Sequence, residues 1–288
     1  MSIVLGIDVG GSTTKIVGVG TQGTQGDGSP VFPAQNTGEP SPCVLGMLQV
    51  RAADQITSMY GAIGNFLSKY GLKLQDISKI FLTGVGASFI SEQIYEIETL
   101  KVDEFSAIGR GALRMTGLDK ALVVSMGTGT AIVQASTTEV KHIGGSGVGG
   151  GSIIGLSSLM LGKSDIDAII ALAEKGSLES IDLSVSDILG EKVQSLPFDL
   201  TAANFGKIKS TASDSDVALG IINMVFEAVG MLAVFAAKSD STKDIVLTGT
   251  LATFPQANPI FAKFTKLTDL NFIIPKDAMF ATALGAIK

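Results

Sequence analysis

The chain has 288 residues, a length that suits two medium-sized domains better than one, and 45% of its residues are apolar. Its formal net charge of −6 argues against non-specific nucleic-acid binding, which needs clustered lysine and arginine. Cys43 is the only cysteine, which excludes an intramolecular disulfide and a cysteine-based metal cluster within one chain. Because the sequence has neither a signal-like start nor an uninterrupted apolar run of bilayer length, we expect a cytoplasmic protein without a membrane partner.

The first part of the chain predicts two short strands joined by a glycine turn. Apolar residues run over 3–7 and 15–19, and Asp8 and Gly10-Gly11 lie between the two runs. Residues 20–43 are rich in Gly, Pro, Gln, Thr and Ser, which indicates a hairpin or loop of low order. Apolar spacing predicts three further elements here, namely a helix over 52–70, a buried strand over 79–82 and a helix over 105–115.

A second unit begins with the same arrangement of strand, glycine turn and strand. The apolar run 121–124 leads into the turn 125–130, so the pattern forms a weak repeat of structure more than of sequence. Further elements are predicted as strands over 131–135, 139–143 and 245–247, and as helices over 153–161, 166–174 and 217–238. Strands that alternate with helices imply an α/β fold with mixed sheets, divided here into domains at 1–118 and 119–288.

Residues 8–15, Asp-Val-Gly-Gly-Ser-Thr-Thr-Lys, form the first candidate phosphate loop. The backbone N–H groups at Gly10-Gly11 can turn toward phosphate, and the Ser12 hydroxyl adds a donor. Lys15 can reach a phosphate oxygen, and Asp8 can hold Mg²⁺ through its water shell. The segment is neither a Walker loop nor the glycine motif of dinucleotide-binding folds. The alternative is an ordinary hairpin turn with an isolated acid.

Two later glycine-rich segments suit the same chemistry. Gly127, Thr128, Gly129 and Thr130 follow an apolar strand and indicate a second phosphate loop. The glycine cluster over 144–152 precedes a predicted helix, where free N–H groups favour anions. The members that we expect to present such groups are Gly149, Gly150 and Gly151. The alternative for this cluster is a flexible hinge between the domains.

Three single polar residues are ambiguous on their own. Glu104 follows Asp103 at a predicted helix start, where acids are common because of the helix dipole alone. His142 is the only histidine, and a lone histidine is more often structural than catalytic. Asn204 can be a simple turn former.

Several of these segments together resemble a known group of ATP-using proteins. Residues 6–12 and 125–130 are similar to the two phosphate motifs of the actin, sugar-kinase and heat-shock-ATPase superfamily. More specifically, the glycine run 144–155 and residues 200–206, Leu-Thr-Ala-Ala-Asn-Phe-Gly, resemble a pantothenate kinase of the eukaryotic-like kind, called type II in bacteria. The resemblance extends in order from Ile3 to Ala286.

The resemblance implies two α/β domains of the actin-like ATPase (ribonuclease H-like) fold, with mixed sheets flanked by helices and ATP in the interdomain cleft. It also implies ATP-dependent phosphorylation of pantothenate, the first step of coenzyme A biosynthesis, with Mg²⁺ as a cofactor. Members of the family are homodimers with a long helix at the interface, which would explain the apolar stretch over 217–238.

Individual roles are also implied by the resemblance. The catalytic glutamate of the family falls on Glu104, its phosphate-loop aspartate and lysine fall on Asp8 and Lys15, and its adenosine-side loop includes Gly249. Substrate contacts are expected from Ser125, Thr128, His142 and Asn204. Two positions depart from the family pattern, because His142 stands where better-known members carry arginine and Ala131 stands where close relatives often have serine.

Three other functions fit parts of the pattern. One is another small-molecule kinase of the same superfamily, for example one that acts on an amino sugar. A second is an ATPase that activates a 2-hydroxyacyl-CoA dehydratase, because residues 6–15 also resemble the activators of those enzymes. Those activators hold an iron–sulfur cluster with paired cysteines, whereas Cys43 is alone. The third is a catalytically silent sensor of ATP or acyl-CoA.

Overall fold

The computed structural model describes residues 2–20, 43–52, 54–90, 93–189, 201–239 and 242–288. The loop expected over 20–43 lies almost entirely outside these residues, and so does the first residue of the segment 200–206. The described residues form two five-stranded mixed sheets, a two-stranded sheet and eight α-helices.

The two five-stranded sheets have the same topology. The first contains, in spatial order, β3 (Cys43–Arg51), β2 (Thr13–Gly20), β1 (Ile3–Val9), β4 (Ile77–Thr83) and β5 (Thr99–Lys101). The second contains β8 (Val140–Ser146), β7 (Thr130–Ser136), β6 (Lys120–Met126), β11 (Asp244–Thr248) and β12 (Asn271–Ile273). In each sheet the first three strands are antiparallel and the last two run parallel to the first. The repeat of strand, glycine turn and strand is therefore confirmed, and it extends to whole sheets.

Helices and a small sheet complete the fold. The helices are α1 (Gln55–Tyr70), α2 (Glu104–Thr116), α3 (Gly150–Leu161), α4 (Ile166–Ala173), α5 (Val185–Leu189), α6 (Asp214–Lys238), α7 (Ala257–Leu267) and α8 (Ala281–Ala286). The small sheet pairs β9 (Leu183–Ser184) with β10 (Thr201–Ala203). No sequence prediction covers β3, α7 or α8.

Local chemistry explains where the predicted elements begin and end. The helix expected from residue 52 begins at Gln55 because the Asp54 carboxylate accepts a hydrogen bond from the Thr57 N–H and caps the first turn. It ends at Gly71, whose φ of 64° is a left-handed conformation that favours glycine. The strand expected over 139–143 continues to Ser146, into the glycine cluster.

Two helices cross between the halves of the molecule. Helix α2 packs on the second sheet, through a cluster that includes Ile108 and Val133. Helix α8 packs on the first sheet, through a cluster that includes Leu284 and Val17. The boundary expected between residues 118 and 119 therefore separates the two sheets. The helices are exchanged across it, because α2 comes from the first half and covers the second sheet, whereas α8 comes from the second half and covers the first sheet.

The two exchanged helices touch backbone to backbone. A Cβ on Gly111 of α2 would lie 1.8 Å from the carbonyl oxygen of Ala281, and one on Gly285 of α8 would lie 1.9 Å from that of Ala107. Two arginines of α2 donate hydrogen bonds to the far end of α8, from Arg110 to Gly285 O and from Arg114 to Leu284 O, each over 3.1 Å. Any side chain larger than hydrogen at the crossing would separate the helices.

Helix α6 is the long apolar helix of the second half. By length and composition alone it could span a membrane. However, 61% of its most apolar stretch is buried inside the protein, as in the core helix of a soluble protein. Its buried residues form one cluster with the second sheet and α7. On its exposed side lie Met231, Leu232 and Phe235, which are 42%, 39% and 59% exposed.

Substitution of Gly111 by alanine tests the helix crossing. Because the new Cβ meets backbone rather than a flexible side chain, we expect Gly111→Ala to lower the free energy of unfolding by roughly 3 kcal/mol or more. Gly61→Ala is the matched control, since Gly61 also lies inside a helix but a Cβ there would meet no neighbouring atom within 4 Å. Alanine there should be neutral or stabilising by up to about 1 kcal/mol. Urea unfolding measures both, and equal effects would contradict the crossing.

Candidate active site

A cleft of about 940 Å³ lies between the two sheets. Its walls contain both glycine turns, the first turn of α2, the N-terminal turn of α3 and part of α4. A cleft of this size can hold a small-molecule ligand of drug size or somewhat larger.

The strands on either side of the first glycine turn place an acidic and a basic residue on the floor of the cleft. Asp8 is the penultimate residue of β1 and the register partner of Lys15 on β2. The Asp8 Oδ2 and Lys15 Nζ atoms are 3.8 Å apart, and both residues are buried. Burial raises the pKa of Asp8, and the nearby Lys15 opposes this shift. The Gly10 N–H closes the turn by donating to Thr13 O over 3.0 Å.

The second glycine turn faces the first across the cleft. The Ser12 and Thr128 side-chain hydroxyls form a hydrogen bond of 3.0 Å between the two loops. The predicted loop residues Gly127, Thr128, Gly129 and Thr130 all line the cleft, as do Asp8, Gly10, Gly11, Ser12 and Lys15. The hydroxyl of Thr130, however, donates to Val148 O over 2.8 Å and so serves the loop itself.

The glycine cluster corrects one expectation from the sequence. Free N–H groups were expected at Gly149, Gly150 and Gly151, but the latter two donate to Gly127 O and Thr128 O over 2.9 and 2.8 Å. The Gly149 N–H donates to the Ser152 hydroxyl. The expectation is wrong because these amides hold the second loop in place. Gly150 and Gly151 still line the cleft, whereas Gly149 does not belong to its lining.

Close packing explains why this cluster consists of glycine. A Cβ on Gly149 would lie 2.7 Å from the carbonyl oxygen of Thr128 and 2.8 Å from the Cα of Gly129. The cluster belongs to β8 and α3, within the second half of the chain. It therefore supports the second loop and is not the interdomain hinge that the alternative interpretation proposed.

Glu104 is the first residue of α2 and lines the cleft. The preceding Asp103 caps the helix, because its carboxylate accepts hydrogen bonds from the N–H and the hydroxyl of Ser106, each over 2.8 Å. Burial raises the pKa of Glu104, and the charges of Asp8 and Asp103 raise it further, against the opposing effect of Lys15. A carboxyl group with a raised pKa is a better proton acceptor.

The far end of the cleft is more apolar. Gly249 follows β11 with a φ of 87°, and a Cβ there would lie 2.5 Å from Met126 O, so that only glycine fits. Around it the lining contains Leu251, Phe254 and Ile170. The sequence analysis predicted Gly249 but neither Phe254 nor Ile170, because an apolar residue in a cleft has no local pattern that separates it from a core residue.

Charged side chains also bridge the opening of the cleft. Arg51, at the end of β3, donates to Asp165 over 3.2 Å and to Asp167 over 2.8 Å, at the start of α4. Next to it, the Ala52 N–H donates to Ser12 O over 2.9 Å. This bridge joins the first glycine turn to the apolar end of the cleft, and it was not predicted because β3 itself was not.

Of the four residues expected to contact the substrate, two line the cleft and two do not. Ser125 and Thr128 line the cleft, together with Ala131, the register partner of Ser125. Asn204 does not line it, since its amide donates to Glu227 on α6 over 2.8 Å. His142 is also absent from the cleft lining, and its ring stacks on Phe105 at 3.9 Å between centroids and 11° between planes.

Comparison with known proteins shows which family the chain resembles. Residues 119–263 match the family model described as Fumble. A type II pantothenate kinase of Staphylococcus haemolyticus is 29% identical, over 75% of this chain and 85% of the relative. One of Bacillus cereus is 30% identical, over 73% of this chain and 81% of the relative.

Solved structures with this fold are more distant in sequence. An activator of the 2-hydroxyisocaproyl-CoA dehydratase from Clostridium difficile, with bound ADPNP, has a TM-score of 0.66 at 15% identity and covers 99% of this chain and 92% of its own. A ROK family glucokinase from Streptomyces griseus, in complex with glucose and AMPPNP, has a TM-score of 0.58 at 10% identity and covers 99% and 97%. At these identities the likeness shows the fold alone.

Two duplicated mixed sheets with glycine loops across a common cleft define a protein of the actin-like ATPase fold, as the sequence predicted. Within that fold, the matches to the Fumble model and to curated relatives are specific. The chain belongs to the type II pantothenate kinase family, and the resemblance seen in its sequence is confirmed.

The raised pKa of Glu104 predicts a pH-dependent effect on stability. Ionisation of Glu104 costs the folded protein stability as the pH rises from the ordinary carboxyl pKa of 4.5 through the raised folded value. Glu104→Gln removes this cost, so the variant should be more stable than the wild type at pH 7. Urea unfolding across pH 4 to 7 should show the difference shrinking as the pH falls. A difference that does not change with pH would contradict the raised pKa.

Proposed function

We propose that this protein transfers the terminal phosphoryl group of ATP to pantothenate and forms 4′-phosphopantothenate, the first step of coenzyme A biosynthesis. The observation that carries the proposal is the placement of Glu104 in one cleft with Asp8, Lys15 and both glycine loops. Membership of the family supports pantothenate as the acceptor, since the curated relatives are named type II pantothenate kinases.

ATP is the phosphoryl donor in this proposal. Its phosphates would lie between the loops 10–15 and 127–130, where the Ser12 and Thr128 hydroxyls already meet. The adenosine would occupy the apolar end beside Gly249 and Phe254. Two structures with this fold carry ATP analogues, ADPNP and AMPPNP, which supports ATP as the nucleotide.

The residues of the cleft fit a Mg²⁺ ion that is shared with the nucleotide. The described residues contain no group of three or more His, Cys, Asp or Glu that could hold a metal on its own. Mg²⁺ needs only one or two carboxylates when phosphate oxygens and water supply the other ligands. Asp8 would hold it, because burial raises the pKa of this carboxyl even with Lys15 beside it, and a divalent cation would favour its charged form. When bound, the ion neutralises charge on the phosphates.

Glu104 acts on the acceptor in this mechanism. A primary alcohol is too weak an acid for a carboxylate to ionise beforehand, so Glu104 orients the hydroxyl and accepts its proton late, as the phosphoryl group transfers. Lys15 adds positive charge near the transferring group. Ser125 and Thr128 are the proposed polar contacts to the acceptor, since both line the cleft. Asn204 is left out because its amide is bonded to Glu227.

A coupled assay of ATP consumption tests the function. We expect turnover with ATP and pantothenate and none above background with N-acetylated amino sugars. Glu104→Gln should lower turnover at least a hundredfold, because it removes the proton acceptor, while ATP affinity measured by calorimetry stays within about threefold. Glu98→Gln is the control, as Glu98 pairs with Lys79 outside the cleft lining. Full activity of Glu104→Gln, or a preference for a sugar, would refute the assignment.

We also propose a homodimer that forms through α6. Its exposed side carries Met231, Leu232 and Phe235, an apolar surface on a helix that is otherwise largely core. A second copy would cover this surface, and the family resemblance supports that assembly.

We likewise propose a cytoplasmic enzyme without nucleic-acid or membrane partners, which the net charge of −6 and the burial of α6 support.

Charge introduced on α6 tests the dimer. The wild type should sediment at twice the chain mass of 29.6 kDa, and Phe235→Glu should shift it toward a single chain because a buried unpaired charge opposes association. Ile56→Glu on α1 is the control, since Ile56 is also a partly exposed apolar residue, at 43%, on a helix of the first sheet. A wild type of 29.6 kDa would show that the chain is a monomer.

A further inference from the structure

The only histidine of the chain is stacked on the residue that follows Glu104. The imidazole of His142, on β8, lies against the ring of Phe105 with centroids 3.9 Å apart and planes 11° from parallel. Within the described part of the chain, the imidazole has no hydrogen bond or ion pair. His142 is otherwise exposed, whereas Phe105 is partly buried and also packs on the cluster between α2 and the second sheet.

The first turn of α2 needs contacts outside itself to be held in place. The Asp103 cap bonds only to Ser106 and therefore fixes the shape of the turn, not its position. Toward the first sheet, the Val102 N–H donates to Leu82 O over 2.8 Å. Toward the second sheet, the face of Phe105 is covered by His142. These contacts, together with the packing of Phe105 on the cluster between α2 and the second sheet, position the turn that carries Glu104.

The body of the helix is fixed more tightly than its first turn. One turn further along, a Cβ on Gly109 would lie 2.7 Å from both methyl groups of Val140, so the helix already touches β8 there. At the N-terminal end, helices fray because their first N–H groups lack intrahelical partners. The stack on Phe105 is therefore one of the contacts that hold the first turn beyond its own cap.

We propose that His142 is a positioning residue for phosphoryl transfer, and that it acts through the face of Phe105 to hold the Glu104 carboxyl in place. The inference rests on the proposed function. It gives His142 a role different from the acceptor contact that the family resemblance implied. It also explains why the residue lies outside the lining of the cleft.

The stack requires a flat side chain more than a charged one. A phenyl ring supplies the same plane, and a guanidinium group is planar and also stacks on aromatic faces. Alanine supplies no plane and leaves one face of Phe105 uncovered.

Kinetics distinguish positioning from substrate contact. A displaced proton acceptor lowers kcat because the reacting groups are misaligned, while the binding of ATP and pantothenate changes little. We expect His142→Ala to lower kcat roughly tenfold with both KM values within about twofold. His142→Phe and His142→Arg should recover kcat to within about threefold of the wild type. Lys141→Ala, on the same strand beside His142, should leave kcat unchanged.

A double-mutant cycle tests whether the effect passes through Phe105. If His142 acts only on that ring, His142→Ala should have almost no further effect on kcat in a Phe105→Leu background. Urea unfolding of each protein shows whether it is folded, and the exposed position of His142 keeps its single variants informative if Phe105→Leu is unstable.

Other outcomes overturn the inference. A raised KM for pantothenate with normal kcat in both His142→Ala and His142→Phe would make the imidazole an acceptor contact. Normal kinetics in His142→Ala, or equal losses of kcat in the alanine and phenylalanine variants, would show that the stack positions nothing. A wild type that phosphorylates other acceptors but not pantothenate would refute the proposed substrate, and the comparison of variants would then still decide the role of His142 with that acceptor.

Discussion

The architecture depends on one close contact, the crossing of α2 and α8 at Gly111 and Gly285. Because backbone meets backbone there, each helix can lie on the sheet formed by the other half of the chain. The exchange has a consequence for the site. Asp8 belongs to the first sheet, whereas Glu104 is carried by a helix that packs on the second. The separation of the two carboxyl groups therefore depends on how the two halves are arranged.

The second glycine turn, over 127–130, depends on a different kind of support. Backbone N–H groups of Gly150 and Gly151 hold the carbonyl groups of Gly127 and Thr128, and the first turn of α3 lies directly behind the loop. A side chain at Gly149 would push this turn away. The glycines thus contribute by letting two backbones approach, which is a packing requirement rather than direct anion binding. Rigid support of this kind suits phosphoryl transfer, where positioning supplies most of the rate.

The sequence predicts the parts of this site that follow local rules. An apolar run that ends in an acid or hydroxyl and then glycine identifies both loops. Glu104, an acid at a predicted helix start, is ambiguous by local rules and is assigned only through the family resemblance. The sequence does not predict Arg51 or Ile170, since only tertiary packing brings β3 and α4 to the cleft. It misassigns the amides of the glycine cluster for a similar reason. Which carbonyl an N–H group reaches is a property of the folded backbone, and the same limit applies to Asn204, whose partner Glu227 is 23 residues away.

The bridge from Arg51 to Asp165 and Asp167 consists of ionised side chains that are exposed to solvent. Salt screens exposed ion pairs over a Debye length of about 8 Å at physiological ionic strength, but it has little influence on buried apolar packing. The mouth of the cleft and the crossing of α2 with α8 therefore respond to different conditions. Higher ionic strength is therefore expected to weaken the ion pairs at the mouth of the cleft and to leave the crossing of α2 with α8 unchanged.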